Sequence, residues 1–206
     1  MIVVDVETTG LVPGRHGIVS IGAVDLTNAT NQFYVECCIA DNIEIDPGAL
    51  RVNGFTETEV RDDSKATAVE AVARFIEWSE PIKERTLGGH NTHFDVAMLQ
   101  AVVHPSRLRW PFGFRALDLH SMAYLQMKRL NHPLPLYQGL SDIKANTVLR
   151  YVGLPLEPTP HIALMGAKME AEAFSRLLTG QVLLDEFSKY AVPDYLRGYK
   201  ATPTLF

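Results

Sequence analysis

The chain has 206 residues, a formal net charge of −5 and two cysteines. Its length suits one α/β domain with a sizeable core. The acidic balance excludes a protein that coats duplex along a broad basic track, because such a track needs many Lys and Arg against phosphate. It leaves room for an enzyme that grips a few nucleotides and neutralises its own acidic site with divalent cations. Cys37 and Cys38 are adjacent, so no disulfide framework is expected. Met1 leads straight into Ile2-Val3-Val4-Asp5, without the basic start and long apolar segment of a secretory signal. No apolar run reaches the roughly 18 residues of a membrane helix. The expectation is a reduced, cytoplasmic protein.

In chain order, Ile2 to Val6, Gly17 to Leu26 and Asn31 to Cys38 read as strands, with Thr27-Asn28-Ala29-Thr30 as the turn between the last two. Asp62 to Glu80 reads as a helix, with Ser64 as N-cap, Pro81 as stop, and Ala68, Val72, Phe75 and Ile76 on one face. Thr86 to Gly89 is a short buried strand. Phe94 to Val103 is a helix that stops before Pro105. Ala116 to Leu119 is another short strand. Helices are expected from Leu119 to Leu130 and from Ser141 to Val152, with Pro133 and Pro135 breaking the chain between them. A further helix over His161 to Leu178 closes at Gly180, and a short one follows from Gln181 to Tyr190. Three strands followed by alternating helices and strands imply a mixed sheet covered by helices. The domain is expected over 1–192, with a C-terminal tail at 193–206.

Three constellations carry chemistry. In Asp5-Val6-Glu7-Thr8-Thr9-Gly10 the alternation of a strand puts Asp5 and Glu7 on one face. Two carboxylates on a largely apolar strand repel one another unless a cation lies between them; the alternative is a solvated strand end. The turn at Gly10 would offer the N–H groups and hydroxyls of Thr8 and Thr9 to a nucleotide's terminal sugar. In Gly88-Gly89-His90-Asn91-Thr92-His93-Phe94-Asp95, Asp95 falls in the first turn of a helix, where the dipole favours an acid. By itself it reads equally as a dipole partner, with Asn91 or Thr92 as cap. His90 and His93 read as structural or solvated rather than as ligands. In Pro160-His161-Ile162-Ala163-Leu164-Met165-Gly166, His161 stands at a helix entry, accessible enough to act as a general base.

Taken together and in this order, Asp-x-Glu-Thr-Thr-Gly, His-Asn-x-x-Phe-Asp and a histidine-led helix resemble the three motifs of the DEDDh 3′→5′ exonucleases, from proofreading subunits of bacterial replicases to ribonuclease T. The segment from Pro47 to Val60 is also similar to the family's loop before its first helix, with Asn53 where many members carry histidine. The resemblance runs from Met1 to about Leu178. It implies a ribonuclease H-like mixed β-sheet flanked by α-helices and a phosphodiesterase that uses two ions, Mg2+ or Mn2+. Asp5, Glu7 and Asp95 would be the metal ligands, and His161 would deprotonate the attacking water. Thr8 and Asn91 would contact substrate, and Phe94 would belong to the core. The partner would be the 3′ end of a nucleic acid, preferably single-stranded, DNA or RNA. A homodimer or a polymerase partner is left open.

One position departs from the pattern. Five residues after the histidine the family carries an aspartate, and here Gly166 stands there. Glycine supplies no ligand and costs a helix about 1 kcal/mol relative to alanine. Glu170, a turn further on, is an acid that could reach back, and water could also fill the place. The expectations are therefore a weakened exonuclease or, as the alternative, a catalytically degenerate nucleic-acid-binding or polymerase-associated module. Restoring an aspartate at 166 should raise magnesium affinity and rate together by roughly tenfold or more.

Overall fold

The computed structural model describes residues 1–197. Its centre is a six-stranded sheet in the order β4-β3-β2-β1-β5-β6. Strands β1 (Ile2–Thr8), β2 (Ile18–Asp25) and β3 (Gln32–Cys38) form the antiparallel part. The short β4 (Ala66–Thr67) adds parallel to β3, while β5 (Leu87–Gly89) and β6 (Ala116–Asp118) extend the sheet parallel to β1. This is the expected mixed sheet, and the first three strands lie within two residues of their sequence assignments at each end.

The period-2 pattern of β1 divides the core. Ile2, Val4 and Val6 face α3 (Ala68–Ser79) and α4 (Thr92–Val103). Met1 and Val3 face α5 (Leu119–Arg129), α6 (Ala145–Tyr151) and the long α7 (Ala163–Thr179). Asp5 and Glu7 continue the row of Met1 and Val3, so both carboxylates emerge toward α7. On β2, Gly22 pairs with Asp5. A Cβ at Gly22 would run into the backbone of Ala163 and Leu164. Only glycine lets the start of α7 come this close to the sheet beside Asp5.

Several local expectations change. The helix expected from Asp62 starts at Ala68, because Thr67 and Glu70 form a capping box. Ser64 instead closes a turn on Asp62, donating its hydroxyl at 2.6 Å. The segment read as a loop from Pro47 to Val60 holds two short helices, α1 (Pro47–Asn53) and α2 (Glu57–Val60), the first capped by Asp46 and the second by Thr56. The helix expected from Ser141 starts at Ala145. Before it lies a small hairpin, β7 (Leu136–Tyr137) and β8 (Leu140–Ser141), turning at Gln138-Gly139. Gln181 to Tyr190 contains only a 3-10 turn at Asp185–Phe187.

Helix α7 ends as expected at Gly180, which takes the left-handed conformation with φ 69°. Its second half carries a buried ion pair, Arg176 to Glu172 at 2.7 Å, with both side chains fully enclosed. Past Pro193 a helical turn, α8 (Asp194–Arg197), buries Leu196, and positions 198–206 of the expected tail lie outside the described residues. Both cysteines are free. No helix among the described residues is long and apolar enough to cross a membrane.

Candidate active site

The groove lies where the C-terminal end of β1 meets the start of α7. Its floor is Asp5, Glu7 and Thr8, and its walls include Asn53, Phe94, Glu157, His161 and Glu170. Asp95 stands behind the strand in the first turn of α4, buried, with Oδ1 accepting the Val6 N–H at 3.0 Å. That bond fixes the acid against the strand that carries the other two. Three of the sequence-derived residues, Asp5, Glu7 and His161, thus line one groove, and Asp95 stands outside its lining but close enough to act on Asp5 and Glu7.

Two acids join them. Glu157 reaches the groove from the loop before α7, and its Oε2 lies 3.6 Å from His161 Nδ1. Glu7, Glu157 and His161 offer ligand atoms all within 4.8 Å of one another. Glu170 enters from α7, with Oε2 shut off from solvent and without a hydrogen-bond partner. Glu157 carried no periodic signal, since it sits between prolines in an irregular loop; its only mark was an acid four residues before His161.

The electrostatics follow from the crowding. Burial first, then repulsion from Glu170 and Asp95, raise Asp5 well above the ordinary carboxylate range. Burial, then Glu157, push Glu7 up to about 7, against a hydrogen bond from Asn53 that favours its charged form. Burial raises Asp95 to about 8 although the Val6 N–H pulls the other way. Glu157 and Glu170 are raised too, chiefly by burial. Among the described residues no Lys or Arg lines the groove to relieve this. The donor set is hard carboxylate oxygen with one imidazole, and it contains an orphaned buried oxygen. These residues fit a hard divalent cation.

Comparison with known proteins agrees with this geometry. An exonuclease family model of the ribonuclease T type matches residues 2–174. The chain belongs to this exonuclease family. It is 33% identical over 181 residues to the 3′-5′ DNA exonuclease Cap18 of Escherichia coli, covering 83% of this chain and 87% of that protein. It is 34% identical over 198 residues to the DNA polymerase III subunit epsilon of Pasteurella multocida, covering 90% of this chain and 71% of the subunit. Among solved structures, the nuclease domain of 3′hExo, a DEDDh family member bound to rAMP, superposes with a TM-score of 0.67 at 18% identity, covering 89% of this chain and 93% of that one. Escherichia coli exonuclease I in complex with a dA16 oligonucleotide gives 0.65 at 19% identity, and the match spans 87% of this chain but 40% of exonuclease I. These two share the ribonuclease H-like fold. Divalent-metal dependence is general among DEDDh exonucleases.

Within this exonuclease frame the remaining expectations sort themselves. Thr8 lines the groove, but its hydroxyl already donates to the Gly10 carbonyl at 2.8 Å. Thr9 turns inward: its hydroxyl donates to Glu44 O at 2.7 Å and accepts from Gly17 N at 3.0 Å, so it holds the turn rather than a sugar. Asn91 is exposed and lies outside the set of residues that line the groove. Its left-handed backbone, φ 60°, swings the chain into α4 without a side-chain cap bond. Asparagine tolerates that conformation, which gives Asn91 a local reason to be there. The amide in the groove is Asn53, whose Nδ2 donates to Thr8 O at 3.0 Å. His90 is structural as expected, with Nε2 donating to Ile143 O at 2.9 Å. Phe94 does double service, packing partly against the core and forming part of the groove wall.

Proposed function

We propose that this chain removes nucleotides one at a time from the 3′ end of single-stranded DNA or RNA, with Mg2+ or Mn2+. The observation that supports it best is the groove itself. Asp5, Glu7, Glu157 and Glu170 converge there with Asp95 behind the strand and no Lys or Arg among the described residues that line it, and His161 stands at its edge. Such a cluster is a poor way to stabilise a fold and a good way to hold hard cations.

Asp5 and Glu7 on β1, with Asp95 behind them, would hold the ions. Two bound divalent ions would stabilise the attacking and leaving oxygens of the displacement. His161 would take the proton of the attacking water as the new O–P bond forms. The bond from phosphorus to the 3′ oxygen of the preceding nucleotide breaks, releasing a nucleoside 5′-monophosphate. Glu157, beside Nδ1, would keep the imidazole turned so that Nε2 serves as the base. The backbone N–H of His161 donates to Val52 O at 3.0 Å and ties its loop to α1. Leu11, Ala49, Val52 and Phe94 line the groove with apolar surface, against which the terminal base would lie.

The test is degradation of linear single-stranded DNA and RNA carrying a 5′ label, with magnesium, with manganese and with EDTA. Stepwise shortening with release of mononucleotides is expected, and a circular strand should persist. End binding without shortening in either metal would favour the module that binds but does not cut, the alternative that Gly166 raises. Cleavage of the circle would point to an endonuclease.

A further inference from the structure

The strand side of the groove follows the family pattern, and α7 departs from it at one residue. A Cβ built on Gly166 would collide with Asp5 Oδ2 and lie 3.2 Å from Glu157 Oε1. Gly166 therefore faces the carboxylate cluster, and the register of the third motif is as the family pattern requires.

Glu170 lies one turn beyond on the same face. Side chains of a helix lean toward its N-terminus, and residues four apart share a face. The longer Glu170 side chain thus extends back over the turn of Gly166. It reaches the same cavity as Asp5, His90, Glu157 and Gly166. Among the described residues its Oε2 makes no hydrogen bond and lies 3.3 Å from where a Cβ of Gly89 would be, against β5, while the backbone N–H of His90 favours the charged form of the carboxylate. Among the charged neighbours of Asp5, Glu170 acts on it most strongly. An enclosed oxygen with an open lone pair costs the fold unless something takes that lone pair.

We propose that Glu170 is the metal ligand that stands in for the aspartate missing at position 166, sharing a divalent ion with Asp5. The proposal rests on the exonuclease reading above. Glu157 also borders this place, with Oε1 3.2 Å from where a Cβ of Gly166 would be, but it comes from the loop before α7 and its Oε2 lies against His161. Glu170 alone approaches from the helix that carries the gap.

The experiment is a Mn2+ titration of the purified chain, read from the electron paramagnetic resonance of free Mn2+, with thermal melting with and without Mn2+. Glu170→Gln keeps the shape of the side chain and removes its charge. It should bind Mn2+ roughly tenfold more weakly or worse, the size of effect that altered metal ligation brings. It should lose most of the Mn2+-induced rise in melting temperature and melt at least as high as the parent without metal. Should Glu170→Gln fail to fold, Glu170→Asp retains the charge one methylene short and should show the same weakened Mn2+ binding. Parent-like Mn2+ binding by a folded Glu170 variant overturns the proposal, whatever the nuclease assay shows. Lost Mn2+ binding in Glu170→Gln, with no nuclease activity in the parent, overturns the exonuclease reading and leaves Glu170 assigned as ligand.

Discussion

The two halves of α7 hold two acids only two positions apart, and they are treated in opposite ways. Glu172 is fully buried, and each of its oxygens is engaged. Oε1 accepts from Arg176 Nε at 2.7 Å, and Oε2 accepts the backbone N–H groups of Leu183 and Leu184 at 2.8 and 2.9 Å. Arg176 in turn donates to the carbonyls of Val152, Gly153, Phe187 and Tyr190. Glu170 has an enclosed oxygen with no partner and faces other acids. A buried charge that is completely paired ties a fold together; one left among like charges is what the proposed cation would relieve. The same helix thus anchors the C-terminal segment with one acid and completes the groove with the other.

The comparison breaks most visibly at its structural end. Arg176→Met should destabilise the protein by about 3–5 kcal/mol, because it strands Glu172 as an uncompensated buried charge. Whatever folded protein remains should bind Mn2+ normally, since Arg176 lies outside the groove. Urea denaturation alongside Mn2+ titration checks both halves of this outcome. Selective loss of Mn2+ affinity would instead mean that the two ends of α7 are coupled.

At the functional end the larger effect belongs to the strand. Asp5→Asn should abolish tight Mn2+ binding and lower exonuclease rate by at least about 100-fold, more than the effects seen when only a ligand's supporting partners are altered. Without metal it should melt higher than the parent, because burial and its acidic neighbours hold Asp5 well above the ordinary carboxylate range. Initial rates on a labelled oligonucleotide and apo melting curves give the two readouts. Undiminished activity would exclude a mechanism in which Asp5 holds the ions.

Legibility in the sequence followed the range of the forces involved. Asp5 and Glu7 were readable because a strand's period decides which side chains share a face. Asp95 and His161 drew notice only through the order of the three motifs, since their approach to β1 depends on long-range packing; their roles remain those proposed above. Glu157 was invisible, because a loop residue between prolines has no period and its place is set by the tertiary path. The start of α3 was misjudged locally: Ser64 and Thr67 are both plausible caps, and the Glu70 partner that decides between them was overlooked. The hairpin at Leu136–Ser141 went unseen because its strands are two residues long and exposed. Asn91 was assigned to the substrate although its conformation serves the backbone.

The unpaired acids also set a pH dependence that the paired ones do not. Glu7 at about 7 and Asp95 at about 8 keep their protons in the apo fold at pH values where an unfolded carboxyl, near 4, has lost its own. Between those limits the folded state binds more protons than the unfolded one, so stability falls as pH rises. Thermal melts in EDTA should therefore drop by several degrees from about pH 5 to about pH 8, each kcal/mol being worth about 2–4 °C at this chain length. Saturating Mg2+ should flatten the slope, and its affinity should climb over the same window as binding releases protons. An apo protein whose melting temperature rises through that window would show these acids to be relieved by a group outside the groove.

The smallest effect is the most discriminating. From the sequence alone, Gly166→Asp fills an empty ligand position and should strengthen metal binding by roughly tenfold. The structure places Gly166 against Asp5, with Glu170 already above it, so the new carboxylate enters an occupied place. It must turn the Asp5 carboxylate aside, and it adds one more like charge to the apo cluster. Replacing an interior glycine returns a few tenths of a kcal/mol in helix propensity, so the two local effects oppose each other. The expected result in the otherwise unaltered chain is a change in Mn2+ affinity of less than about threefold, well under the size of a ligand gained from nothing. A Mn2+ titration of the single variant beside the parent decides it. A tenfold gain would mean that Glu170 leaves the position open and that the asymmetry along α7 has another origin. A change within threefold, set beside a large loss in Glu170→Gln, would place the ligand one helical turn from where the family pattern puts it.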